Sequence, residues 1–124
     1  MDRKSILIVE DEHIVAHDVA KRLEMMDYAV CGIVDSGEAA LEFLAERSCD
    51  LVLLDVMLKG RLDGIQTAEM ILKIKPLPVV FLTGYEDPEL LERAKFAQPY
   101  GYLWKPITDR SLEVTLALAL DHFQ

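Results

Sequence analysis

Five strand-length apolar runs, each followed by a stretch of helical periodicity, constrain this chain more than any other feature. The runs are Ser5 to Val9, Tyr28 to Val34, Leu51 to Leu58, Val79 to Thr83 and Tyr100 to Trp104. They are near-continuous in Val, Ile, Leu and aromatic residues, the pattern of strands buried on both faces. Between them apolar residues recur at helical spacing: Ile14, Val15, Val19, Leu23 and Met26, then Ala39, Ala40, Phe43 and Leu44. The later segments repeat the pattern with Ile65, Ala68, Ile71 and Leu72, and with Leu90, Leu91, Ala94 and Ala97. The last carries Leu112, Leu116, Ala119, Leu120 and Phe123. Such alternation calls for a parallel sheet with helices on both sides. The expected class is α/β, a doubly wound five-stranded parallel sheet of (βα)5 form.

Boundary residues agree. Ser36 with Gly37 and Glu38 opens the second helix, and Asp63-Gly64 leads into the third, which Pro76 and Pro78 stop. Asp87-Pro88 reads as an N-cap aspartate with proline at the first helical position, and Thr108 or Asp109 caps a last helix running to about Phe123. With no repeat, low-complexity stretch or linker, residues 1–124 are expected to form one domain.

Its 124 residues, 52% of them hydrophobic, suffice for a core without metals or disulfides. Cys31 and Cys49 have neither CxxC nor zinc-ligand spacing and are expected to be separate, buried, reduced thiols. No apolar run approaches the roughly 18 residues of a membrane span. Met-Asp-Arg-Lys-Ser opens directly into a strand, so no signal peptide is expected and the setting reads as cytoplasmic. A net charge of −9 argues against direct nucleic-acid binding and suits a cation site.

The carboxyl ends of parallel strands share one rim, where open α/β sheets bind ligands. Here that rim carries Glu10-Asp11 after the first strand, Asp35 after the second, Asp55 in the third, Thr83 in the fourth and Lys105 after the fifth. Each has an ordinary reading: acids favour a helix start, threonine caps turns, and lysine is commonly a solvated surface residue. Together they say more. Clustered carboxylates repel unless a cation sits among them, and Mg²⁺ takes one or two carboxylates while completing its shell with water and phosphate oxygens. Asp55 is a competent nucleophile toward a phosphoryl group, whose charge a hydroxyl and an ammonium then neutralise.

Ile-Leu-Ile-Val-Glu-Asp-Glu, Leu-Val-Leu-Leu-Asp-Val-Met-Leu, Asp-Gly-Ile, Val-Val-Phe-Leu-Thr-Gly and Tyr-Leu-Trp-Lys-Pro together resemble the motifs of response-regulator receiver domains, over essentially the whole chain. The resemblance implies a flavodoxin-like strand order 2-1-3-4-5 and a phosphoacceptor at Asp55. It implies Mg²⁺ on Glu10, Asp11, Asp55 and the backbone carbonyl of Met57, with phosphoryl contacts from Thr83 and Lys105. Thr83 and Tyr102 would form the switch pair, and the Lys105–Pro106 bond would be cis. The implied partner is a sensor histidine kinase or phosphotransfer domain, and the domain would catalyse only its own phosphorylation and dephosphorylation. Two departures stand out. The loop from Asp55 to Asp63-Gly64 is one residue longer than the commonest family pattern, with Lys59 at a usual proline position, which leaves its path open. The first acid is Glu10, a longer side chain that can reach Mg²⁺ through water.

Other readings fit less well. A phosphatase of the haloacid dehalogenase type wants a second aspartate two residues after the nucleophile, where this chain has Met57. A flavin-mononucleotide binder wants a Ser/Thr-rich loop after the first strand. His13 and His17, four apart, are read as a solvated helix flank rather than a metal site. On the last helix, Val114, Ala117 and Leu118 form a second apolar stripe. With the fourth helix and fifth strand it is read as a docking face, with homodimerisation as one expected use.

Overall fold

The third apolar run ends as a strand earlier than its hydrophobicity does: β3 spans Leu51–Asp55, and all five residues are buried. The computed structural model describes residues 3–84 and 88–123. Around β3 the order is β1 (Ser5–Val9), α1 (His13–Met25), β2 (Ala29–Val34) and α2 (Gly37–Glu46), then α3 (Gly64–Ile74), β4 (Val79–Thr83), α4 (Pro88–Phe96), β5 (Gly101–Trp104) and α5 (Asp109–His122). The sheet order is β2-β1-β3-β4-β5, with every pairing parallel. This is the five-stranded flavodoxin-like arrangement expected.

Strand alternation divides the core into two layers. Leu7, Val9, Val52, Leu54 and Phe81 face α2, α3 and α4 with Leu44, Ile71 and Ala94. Ile6, Ile8, Leu53, Val80 and Leu82 face α1 and α5 with Leu23, Leu112 and Leu116. Each fully buried aliphatic contributes about 1.5–3 kcal/mol, which is why the central strands carry no polar alternation.

The helix starts follow their caps. Ser36 accepts from the Ala39 N–H at 3.1 Å, and Thr108 accepts from the Ser111 N–H at 3.1 Å. Asp63 and Gln66 cap reciprocally at 2.8 and 3.0 Å. The cap expected at Asp87 lies outside the described residues. Arg22 of α1 donates to the Ile107 carbonyl at 3.2 Å and to Asp109 at 2.8 Å, tying the chain after β5 to α1.

Several expectations need correction. Cys31 and Cys49 are not separate thiols; they are joined in a disulfide, their Cα atoms 6.7 Å apart. Both are half-buried against the α2–α3 layer, and Cys31 sits where the β1–β2 register shifts. A pairing across 18 residues with a helix between has no local spacing signal. Ile14 and Leu72, which belong to the apolar spacing of α1 and α3, are 87% and 41% exposed, because the buried stripes of these helices are narrower than the apolar ones. On α5, Leu112, Leu116 and Ala119 face the sheet as expected, while Val114 and Leu118 are exposed.

Candidate functional site

Backbone hydrogen bonds bring the strand ends to one crevice. The Glu10 N–H donates to Val34 at 3.0 Å, prolonging β1 beside β2. Asp55 pairs with Leu82 in the β3–β4 register, and the Val56 N–H donates to the Leu82 carbonyl at 3.1 Å. The Lys105 N–H donates to the Thr83 carbonyl at 2.8 Å, and the Lys105–Pro106 bond is cis, as expected. Gly64 starts α3 against the back of Asp55: its N–H donates to Val56 at 3.2 Å, and a Cβ there would collide with the Asp55 carbonyl oxygen. Only glycine allows that approach.

In the crevice Lys105 Nζ donates to Asp55 Oδ2 at 2.9 Å and lies 3.2 Å from Glu10 Oε1 and 3.7 Å from Glu12 Oε1. Asp55 Oδ1 accepts the Met57 N–H at 2.8 Å. Glu10 and Asp55 are almost wholly buried, and Glu10 Oε1 has no aligned hydrogen-bond partner despite the nearby ammonium. A buried carboxylate in that condition costs free energy unless it is protonated or bound by a cation. Burial, and then the closeness and negative charge of Asp55, push the Glu10 carboxyl up to about 8. Burial pulls the Lys105 ammonium toward deprotonation, but its contacts with Asp55 and Glu10 outweigh that and raise its pKa.

Glu10, Asp11 and Asp55 each present an oxygen within 4.8 Å of the others, and they are the group of this kind found among the described residues. Hard oxygen donors around an orphaned carboxylate oxygen fit Mg²⁺. Asp11, Asp55, Met57, Gly84 and Lys105 line the cavity above them, about 260 Å³ in volume.

Two expected residues stand apart from the ion-pair cluster. Thr83 is buried, and its hydroxyl donates to the Gly84 carbonyl at 3.2 Å. Tyr102 is half-buried with its ring 6.1 Å from that of Phe81, its neighbour in the β4–β5 register. His13 and His17 are exposed and line a separate cavity with Glu10 and Asp35.

The loop after Asp55 now has a path. The Lys59 N–H donates to Asp11 Oδ2 at 3.3 Å, Gly60 turns at φ +111°, and the Leu62 N–H donates to Glu38 Oε1 at 3.1 Å. Glu38 was not singled out from sequence beyond its place at a helix start. An acid in a first helical turn looks the same whether or not it receives a distant backbone N–H.

Residues 6–117 match the family model described as the response regulator receiver domain. The chain belongs to the response-regulator receiver family. Receivers are domains of two-component signalling, and the five-stranded parallel fold described above is theirs. The chain is 34% identical over 121 residues to the transcriptional regulatory protein PdtaR of Mycobacterium tuberculosis, covering 98% of this chain and 58% of PdtaR. It is 34% identical to ZraR of Escherichia coli K12 over 98% of this chain and 27% of that protein. This receiver thus spans about half, or less, of the curated relatives it matches. Among solved structures it resembles the receiver domain of a modulated diguanylate cyclase from Desulfovibrio desulfuricans G20, with TM-score 0.93, 36% identity, and 98% and 97% of the two chains covered. It also resembles the N-terminal domain of a response regulator/sensory box/GGDEF three-domain protein from Carboxydothermus hydrogenoformans, with TM-score 0.89, 39% identity, and 97% and 96% covered. No helix among the described residues is long and apolar enough to cross a membrane.

Proposed function

We propose that Asp55 accepts a phosphoryl group from the phosphohistidine of a sensor histidine kinase or phosphotransfer domain, and that the whole chain, 1–124, acts as the receiving unit. The observation that carries this is the position of Asp55: its carboxylate ends a buried strand, 2.9 Å from the Lys105 ammonium and grouped with Glu10 and Asp11. Glu10, Asp11, Asp55 and the Met57 carbonyl would hold Mg²⁺, which when bound supplies positive charge against the phosphoryl oxygens. An Asp55 carboxylate oxygen bonds to phosphorus as the bond from phosphorus to the donor nitrogen breaks, its electron pair leaving with the imidazole. Lys105 neutralises charge on the transferred group, and the Thr83 hydroxyl turns from the Gly84 carbonyl to donate to it.

Tyr102 links this event to a surface. It packs on Phe81 on one side and lines a groove with Leu91, Lys95 and Trp104 on the other. A shift of Thr83 opens space for the ring to move inward, a local charge change read out as packing. The output face is therefore α4, β5 and α5, serving a protein partner or a second copy rather than nucleic acid. A cytoplasmic setting belongs to the same proposal; the Cys31–Cys49 bond is the feature it must accommodate, since cytosolic thiols are ordinarily kept reduced.

The test is phosphotransfer from a panel of autophosphorylated histidine kinases and phosphotransfer domains. Label should pass to this chain with Mg²⁺ and stop when the metal is chelated. Transfer from no donor, or transfer indifferent to chelation, counts against the proposal.

A further inference from the structure

Lys59 lines the crevice beside Asp55 and Lys105, yet none of the roles above uses it. Its main chain is held firmly: its own N–H is bound by Asp11 Oδ2, Gly60 turns the chain at positive φ, and Glu38 fixes Leu62 three residues on. Its side chain is exposed, and among the described residues no carboxylate lies within ion-pair distance of its ammonium. The inner part of the crevice has the opposite balance. Glu10, Glu12 and Asp55 surround the single Lys105 ammonium, and Asp11 lies beside them. An incoming phosphodonor is itself an anion and has to approach this negative interior past the lip that carries Lys59.

We propose that Lys59 is a specificity-determining residue for the phosphodonor, a second cation on the lip of the crevice that draws in the anionic oxygens of small acyl phosphates. This rests on the reading of Asp55 as acceptor. In the transfer from acetyl phosphate an Asp55 oxygen bonds to phosphorus, the bond from phosphorus to the acetyl oxygen breaks, and the electron pair leaves on acetate. No further reactant enters. A lip charge acts mainly on capture, and its effect falls with ionic strength.

The opposite charges of metal and donor give a test that a structural role would not mimic. Wild type, Lys59→Gln and Lys59→Arg are compared for phosphorylation by acetyl phosphate with Mg²⁺ saturating, at low and high salt, and for Mg²⁺ affinity without donor. Lys59→Gln should raise the half-saturating acetyl phosphate by roughly tenfold at low salt, the lower end of what a focused charge gives, with a smaller change in maximal rate. The difference should shrink at high salt, Mg²⁺ should bind as tightly or more tightly, and Lys59→Arg should restore capture. Unchanged half-saturation in Lys59→Gln overturns the proposal. So does weakened Mg²⁺ binding that arginine does not rescue, which would assign Lys59 to loop structure instead. If wild type itself takes no phosphoryl group, the acceptor reading fails and this proposal with it; if it does and Lys59→Gln matches it, only the role of Lys59 fails.

Discussion

Lys105 Nζ stands 2.9 Å from Asp55 Oδ2, so the ammonium that follows β5 is joined to the carboxylate that ends β3. The same nitrogen is 3.2 Å from Glu10 Oε1 at the end of β1. One cation thus bridges the ends of three strands and offsets charge that burial makes costly.

Removing that cation should act on metal and phosphoryl group in opposite directions. Lys105→Met leaves Glu10 and Asp55 without their ammonium, so Mg²⁺ should bind more tightly. Phosphorylation should slow by about 10²-fold, the scale of losing one donor to developing charge. Mg²⁺ titration and acetyl phosphate kinetics on the same preparation check both signs. Loss of Mg²⁺ binding together with phosphorylation would mean the substitution had disordered the site.

Mg²⁺ alone should stabilise the fold. A ligand bound only by the native state adds RT ln(1 + [L]/Kd), about 1.4 kcal/mol at tenfold excess over Kd. Thermal melts should shift upward with Mg²⁺, and the shift should largely vanish in Asp11→Asn. A melting temperature unchanged across millimolar Mg²⁺ contradicts the site.

The pH dependence follows from Glu10. Its folded value of about 8 lies above its ordinary value of 4.5, so between these the metal-free native state holds a proton that the unfolded chain has lost. The stability from this group is present at low pH and declines as pH rises from about 4.5 through about 8. Because a bound cation must displace that proton, Mg²⁺ affinity should climb over the same interval. Calorimetry near pH 7 in buffers of different ionisation enthalpy should show protons released on binding; zero release excludes a protonated Glu10.

The rim was legible in the sequence because parallel topology places every strand's carboxyl end on one edge. Finding the strands therefore located Glu10, Asp11, Asp55, Thr83 and Lys105 together without knowledge of any distance. Contacts set by loops were not legible. The Glu38–Leu62 hydrogen bond depends on the turn at Gly60, and the Cys31–Cys49 bond depends on how the chain returns after α2. Nor does apolar spacing reveal exposure: Ile14 continues the stripe of α1 yet is 87% exposed, because only Ala16, Val19 and Leu23 of that helix are buried.

The α4–β5–α5 face should report activation. Leu118 is 51% exposed, with Val114 and Trp104 also partly exposed on the same elements. Sedimentation of the unphosphorylated and beryllofluoride-treated protein should show self-association that is present or increased on activation. Leu118→Glu should weaken it while shifting stability by no more than about 0.5 kcal/mol, as for other surface changes. A monomer in both states, indifferent to the substitution, removes the dimer and leaves a different protein as the partner of this face.

The central claim is that Asp55 is the acceptor, and intact mass after incubation with acetyl phosphate and Mg²⁺ tests it most directly. Wild type should gain one phosphoryl group, lost again on mild alkaline or hydroxylamine treatment as an acyl phosphate is. Asp55→Asn, which keeps the shape of the side chain but lacks the nucleophilic carboxylate, should gain none. Labelling of Asp55→Asn to the wild-type extent would contradict the account.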